Sequence, residues 1–219
     1  MPDQEFLKEI ASQLRKPNGK FGNEVAEKMN ESNRAMNIAT INALNIKSGN
    51  TVLEIGMGNG FFVRDILTKA DKIHYIGCDY SEDMVALSTH INHHFIDSRE
   101  AVFFQSKASN LPIDGNSIDI LFTVNTLYFW EHKKAILSEF RRVLKPKGTL
   151  CISIRPERCL KQYPSTQYNF GHYSVKSVSD LLTKNDFNVT DIIEQQEPEV
   201  EVLERKIIPE FAIIIARKP

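Results

Sequence analysis

Apolar residues recur along the chain with two different periods. Phe6, Leu7, Ile10 and Leu14 fall at helical spacing, which predicts a short amphipathic helix over residues 3–14. The run Arg15-Lys16-Pro17-Asn18-Gly19-Lys20-Phe21-Gly22 breaks it with turn chemistry. A longer helical stripe follows through Val25, Met29, Met36, Ala39, Ile41 and Leu44, up to a turn at Ser48-Gly49-Asn50. From there, near-continuous apolar runs alternate with helical ones. Strands are predicted at 51–56, 73–79, 101–105, 118–125 and 149–154, with helices at 60–69, 81–95 and 130–144. Ser81 is placed to cap the second of these helices, and Lys145-Pro146-Lys147-Gly148 to stop the third. After an irregular stretch come a helix at 174–185 and strands at 187–193 and 211–217.

This alternation predicts an α/β fold with a mostly parallel, doubly wound sheet covered on both faces, preceded by N-terminal helices. Open sheets of this kind bind ligands at the carboxyl ends of their strands. The loops after Ile55, Asp79, Gln105, Val124 and Ile154 should therefore open onto one rim. A chain of 219 residues suits one domain with a substantial core. Its net charge of −1 gives no global pull toward nucleic acid or an anionic membrane. Cys78, Cys151 and Cys159 lack metal-ligand spacing and suit a reducing compartment. The charged N-terminus has no apolar signal core, and no apolar stretch nears the ~20 residues of a spanning helix. A cytoplasmic protein acting on a small molecule, with no membrane or nucleic-acid partner, is the expectation.

The candidate chemistry begins at Gly56-Met57-Gly58-Asn59-Gly60, between a strand and a helix. Glycines there permit a tight turn and let backbone N–H groups approach a ligand. The next strand ends in Asp79, where such folds place an acid against ribose hydroxyls. A dinucleotide fingerprint would need its third glycine at position 61, which is Phe61. No Gly-Lys-Ser/Thr is present, so a P-loop is excluded. The loop suits a nucleoside cofactor without a pyrophosphate. His90, His93 and His94 share a helix face but lack a companion acid, so no metal site is expected.

Val52-Leu53-Glu54-Ile55-Gly56-Met57-Gly58-Asn59-Gly60 resembles the first motif of the class I S-adenosylmethionine-dependent methyltransferases. Tyr75-Ile76-Gly77-Cys78-Asp79-Tyr80-Ser81-Glu82-Asp83-Met84 resembles their second. The stretches 111–119 and Val143-Leu144-Lys145-Pro146-Lys147-Gly148 are similar to two later landmarks. The resemblance implies a Rossmann-like sheet of seven strands, the last antiparallel, in a domain over 49–219. It implies S-adenosylmethionine as cofactor and S-adenosylhomocysteine as product. Glu54 would orient the methionine ammonium, the backbone of Gly56, Gly58 and Gly60 would pass beside the cofactor, and Asp79 would hold the ribose diol. Tyr80 and Met84 would pack near the adenine, Ser106, Lys107 and Ala108 would line its edge, and Asn125 and Thr126 would face the methionine. Lys107 departs from the acid many relatives carry there, since lysine cannot accept a hydrogen bond from the adenine amino group. Residues 1–48 are similar to a helical extension that acts as a lid in small bacterial members.

The substrate side is less legible. His172 is the candidate general base, because its ordinary pKa lies near neutrality. Tyr128, Tyr163, Tyr168 and Tyr173 are candidate substrate contacts, with packing of the same aromatics into a minor core as the alternative. Trp130 and Glu131 could also line the substrate side. Arg15, Lys16 and Lys20 fit either an anionic substrate or a solvated turn. Methyl transfer to a small organic acceptor is the expected activity. A methyltransferase acting on RNA or protein, a non-catalytic cofactor-binding module and an NAD-dependent oxidoreductase are the alternatives.

Overall fold

The computed structural model describes residues 3–202 and 205–219. The chain opens with three helices, α1 (Gln4–Arg15), α2 (Gly19–Ser32) and α3 (Arg34–Ala43). The predicted continuous stripe thus breaks at Asn33, between α2 and α3. β1 (Thr51–Ile55), α4 (Val63–Leu67), β2 (His74–Asp79), α5 (Glu82–Ile91), α6 (His93–Asp97) and β3 (Ala101–Gln105) follow. The predicted helix at 60–69 is reduced to α4, because Gly58 and Gly60 hold φ values of +58° and +70° and keep the loop non-helical. The predicted helix at 81–95 divides at Asn92, whose buried amide turns back to the carbonyls of Gly60 and Ser88. Ser81 caps α5 as expected, its hydroxyl accepting from the Met84 N–H.

β4 (Ile118–Val124), a 3-10 turn at Leu127–Phe129, α7 (Lys133–Val143) and β5 (Leu144–Ile154) come next. The Lys145–Gly148 turn residues lie inside β5 as an irregularity, where the pairing with β4 shifts from Ile118↔Leu144 to Ile120↔Thr149. After α8 (Glu157–Leu160), a 3-10 turn at Pro164–Gln167 and α9 (Val175–Thr183), the chain completes the sheet with β6 (Asn188–Gln196) and β9 (Glu210–Arg217). A small hairpin, β7 (Val200–Val202) with β8 (Arg205–Ile207), stands between them and is absent from the predicted elements.

The main sheet has seven strands in the order β3-β2-β1-β4-β5-β9-β6. β9 runs antiparallel to both its neighbours, and the other pairs are parallel. Alternation along the strands divides the core between two faces. Leu53, Leu121, Ile152 and Ile214 pack with Leu137, Phe140 and Leu182 on one side. Val52, Phe122 and Ile213 pack with Met36, Ile41 and Ile66 on the other. α3 is fixed to that second face by a buried hydroxyl pair, Thr40 with Ser153, at 2.7 Å. This anchoring sets the position of α1 and α2 above the strand tips. Among the described residues, no helix is long and apolar enough to cross a membrane.

Candidate functional site

A cavity of about 440 Å³ opens at the carboxyl ends of β1, β2, β3 and β4 and is roofed by α1, α2 and the start of α3. That volume falls within the roughly 300–1,000 Å³ of small-molecule sites. Its floor is the glycine loop. Gly56 has φ +76°, and a Cβ there would lie 2.3 Å from the Thr126 methyl, so only glycine permits this approach of the loop to the β4 tip. At Gly58 an added Cβ would meet nothing within 4 Å, leaving its backbone open on the cavity side. Gly60 is absent from the cavity wall. It packs the loop against α5, with Ser88 and Asn92 as its nearest neighbours.

Two carboxylates line the floor. Glu54 is buried and accepts a 2.6 Å hydrogen bond from the Tyr75 hydroxyl. Burial lifts its pKa from 4.5 to about 7, against the opposing effect of the Tyr75 bond, and Asp79 adds a smaller upward push. The sheet register explains the pair: Glu54 lies opposite Gly77, and Tyr75, two residues back, shares that face. Asp79 accepts from the Gly58 N–H at 3.0 Å through one oxygen and from the Ser81 N–H at 2.8 Å through the other. Burial raises its pKa, and the N–H bonds oppose that rise.

The roof is tied down at several points. Ser81 donates to the Pro17 carbonyl, and Asp83 accepts from the Gly19 N–H at 2.6 Å. Arg15 reaches Glu131 across the cavity mouth, and Lys16 lies 4.8 Å from the Tyr80 ring centre. Glu131 is held below the usual carboxylate range chiefly by its hydrogen bond to Arg15. Deeper in, the Asn125 amide donates to the Asn33 carboxamide oxygen at 3.1 Å, and Tyr128 donates to the Asn125 oxygen at 2.9 Å. Arg155, buried and paired with Glu197 at 2.6 Å, bonds the Ser32 carbonyl and the same Asn33 oxygen.

Of the residues expected at a cofactor, Glu54, Gly56, Gly58, Asp79, Tyr80, Met84, Ser106, Lys107, Ala108, Asn125 and Thr126 all line this cavity. Trp130, Glu131 and Arg15 line it too, whereas Lys16 and Lys20 do not. The expected substrate group is not brought together. Tyr128, Tyr163, Tyr168, His172 and Tyr173 are absent from the wall. Tyr128 is buried and bonded behind it, and Phe170 stacks on Tyr128 and meets Phe129 edge-on, so these rings form a minor core. Lys8 lies over the Tyr168 ring and Lys133 over the Tyr173 ring. His172 has a buried Nδ1 without a partner among the described residues. The histidine that lines the cavity is His132, which sequence reasoning passed over. Asn37 and Tyr75 were also missed. Arg155, directly after β5, is placed near the rim by its position in the sequence, but nothing in the sequence pairs it with Asn33.

A family model described as a methyltransferase domain matches residues 53–152. The chain is 26% identical over 147 residues to the uncharacterized methyltransferase YdaC of Bacillus subtilis, covering 67% of this chain and 78% of YdaC. Other curated relatives are longer. The chain spans 62% of an O-methyltransferase of Pyrenophora dematioidea and 34% of the wheat phosphoethanolamine N-methyltransferase, at 22% and 23% identity over 73% and 76% of this chain. Among solved structures, an S-adenosylmethionine-dependent methyltransferase of Thermotoga maritima has a TM-score of 0.67 at 23% identity, covering 97% of this chain and all of that one. The methyltransferase solved with the Haloferax volcanii Trm112 activator has a TM-score of 0.78 at 15% identity, covering 89% and 92%. With the matched segment running from β1 to β5 and the sheet order complete, these likenesses support a class I S-adenosylmethionine-dependent methyltransferase with S-adenosylmethionine as its cofactor.

Proposed function

We propose that the chain transfers the methyl group of S-adenosylmethionine to a small organic acceptor enclosed beneath residues 1–48, which form a lid on a methyltransferase domain over 49–219. The observation that carries this reading is the single enclosure shared by the loop residues at four strand tips and the helical roof. Bound there, the cofactor supplies an already activated methyl group.

The residues present fit that cofactor. Each Asp79 oxygen accepts one backbone N–H and keeps lone pairs for a ribose hydroxyl. Glu54, two residues before Gly56 at the end of β1, takes the methionine ammonium, an ion that offsets the cost of its burial. Tyr80, Met84 and Ala108 flank the adenine. Lys107 is exposed and offers the adenine amino group no acceptor, so packing and backbone groups hold that edge. Asn125 and Thr126 border the methionine end. The chain's remaining task is to align the acceptor and exclude water, which positioning alone accomplishes to a large degree. Where the acceptor must lose a proton, His132 replaces His172 as the base, because it is the histidine on the cavity wall.

Curated relatives named for O- and N-methyl transfer leave the acceptor atom open. The test is release of S-adenosylhomocysteine when the protein and S-adenosylmethionine are incubated with fractionated cell metabolites. Release with a fraction of low molecular mass supports the proposal. Release only with RNA or protein fractions, or only after a protein activator is added, would move the acceptor to a macromolecule or make the chain partner-dependent.

A further inference from the structure

At the opposite end of the sheet, the Lys145-Pro146-Lys147-Gly148 turn borders a second cavity, of about 250 Å³. It opens at the amino ends of β4 and β5, and among the described residues the two cavities share no wall residue. Its wall carries four cations, Lys47, Lys145, Lys147 and Arg217, against one carboxylate, Asp119. On a chain whose net charge is −1, that is a local concentration of positive charge. Asp119 is already engaged, one oxygen accepting from Lys145 Nζ at 2.8 Å and the other from the Thr51 N–H at 2.8 Å. Lys47, Lys147 and Arg217 form no ion pair among the described residues.

The floor of this cavity is more than a solvated surface. Thr149 lines it and is only 8% exposed, yet its hydroxyl has no hydrogen-bond partner among the described residues and remains accessible. The register fixes the direction of that side chain. Thr149 lies opposite Ile120 of β4 on one side and Arg217 of β9 on the other, and cross-strand partners share a face. Ile120 packs in the cluster that contains Ile41 and Leu44, so the row faces α3 and the cavity beneath its end. Arg217 is held beside Thr149. Its Nη1 donates to the Lys147 carbonyl at 3.0 Å, and the Lys147 N–H donates to the Lys218 carbonyl at 3.1 Å. The turn and the end of β9 are thereby pinned together, with the other guanidinium nitrogens unused among the described residues.

These groups share the capacity to donate. Arg217, Lys47 and Lys147 only donate, and the Thr149 hydroxyl can do so too. They match an acceptor-only anion. A carboxylate would neutralise one cation, whereas a phosphate group carries about −1.5 to −2 charge near pH 7 and presents several acceptor oxygens. The volume lies just below the roughly 300–1,000 Å³ of drug-sized ligand sites and suits a phosphate group with a small organic remainder. The carbonyl end of α3 meets the same cavity at Leu44 and Asn45 and opposes an anion, so binding depends on the cations.

We propose that this cavity binds the phosphate group of a small ligand, with Arg217 and Thr149 as its seat on the sheet and Lys47 and Lys147 at its rim. The source is either free phosphate or a small phosphate ester.

The test is calorimetric titration of inorganic phosphate and of ribose 5-phosphate, at constant ionic strength and with excess S-adenosylhomocysteine present. Saturable binding at millimolar concentration or below is expected for the wild type. Arg217→Gln should weaken it about tenfold or more, the scale of a hydrogen bond between charged groups. Thr149→Val, which keeps the β-branched shape without the hydroxyl, should weaken it about threefold to tenfold. Thermal melts without phosphate establish that both variants fold; Arg217 is exposed, so its variant tests the seat by itself. Tighter binding of ribose 5-phosphate assigns an ester, and equal or weaker binding assigns free phosphate. Absence of saturable binding, equal displacement by acetate, or affinity unchanged in Arg217→Gln would overturn the proposal and leave a solvated basic patch. Binding of a short RNA without any binding of phosphate would also overturn it, making the patch a nucleic-acid surface.

Discussion

At the scale of single residues, the site places two carboxylates in partly dry surroundings and holds the glycine loop in geometry open only to glycine. Gly56→Ala forces a side chain to φ +76° and to within 2.3 Å of the Thr126 methyl. The left-handed geometry costs an added side chain about 1–2 kcal/mol at Gly56 and Gly58 alike, but only Gly56 adds the Thr126 clash, so this variant should melt below Gly58→Ala, whose added methyl meets nothing within 4 Å. Equal melting temperatures would contradict the packing described. Glu54 makes a prediction about pH. Its folded pKa, raised from 4.5 to about 7, means that the folded apoprotein binds more protons than the unfolded chain between those values. Stability is therefore fully present below about pH 4.5, falls as pH rises through 7 and levels off above, by an amount on the order of 3 kcal/mol. Urea melts of wild type and Glu54→Gln at pH 5 and 8 should show the slope in the first and its loss in the second. The same residue predicts proton release when an ammonium-bearing ligand binds at pH 7, visible as a dependence of binding heat on the ionisation enthalpy of the buffer. Burial of Glu54 could be read from its place in an apolar strand. The Tyr75 bond could not, because it needs the register between β1 and β2.

At the scale of elements, the roof is held by a few specific ties. Ser81 both caps α5 and donates to the Pro17 carbonyl. Ser81→Ala should cost about 1–2 kcal/mol and speed amide exchange along α2 more than along α3, which keeps its own bond to Ser153. Uniform acceleration of both helices would mean that the roof does not move as an element. Arg15 and Glu131 are 41% and 68% exposed, so Arg15→Gln should change stability by only about 0–1 kcal/mol. The positions of the strands were largely legible, because buried parallel strands read as compact apolar runs. The helix breaks were not. Asn33 and Asn92 interrupt periodic patterns through side-chain bonds to distant residues, Asn125 and Arg155 in one case and Gly60 in the other. The hairpin at 200–207 was missed among short, charge-rich segments with little apolar alternation.

At the scale of the whole molecule, the sheet brings the tips of four strands beneath one helical roof, and this accounts for why one half of the site was readable and the other was not. The residues proposed to hold the cofactor lie within a few positions of strand ends, so a motif and a topology rule locate them together. The acceptor side depends on the roof, whose residues meet the rim only through contacts such as Arg155 with Ser32. Of the aromatic residues offered as substrate contacts, Tyr128 packs against Phe170 and Phe129, the minor-core alternative. The central claim is that this enclosure holds S-adenosylmethionine with Asp79 on its ribose. The most direct measurement is calorimetric titration of S-adenosylhomocysteine into the wild type and Asp79→Ala, with thermal melts to establish that both are folded. One saturable site in the wild type, weakened by about tenfold or more in the variant, is the predicted result. Absence of binding to the folded wild type, or equal affinity in the two proteins, would contradict it.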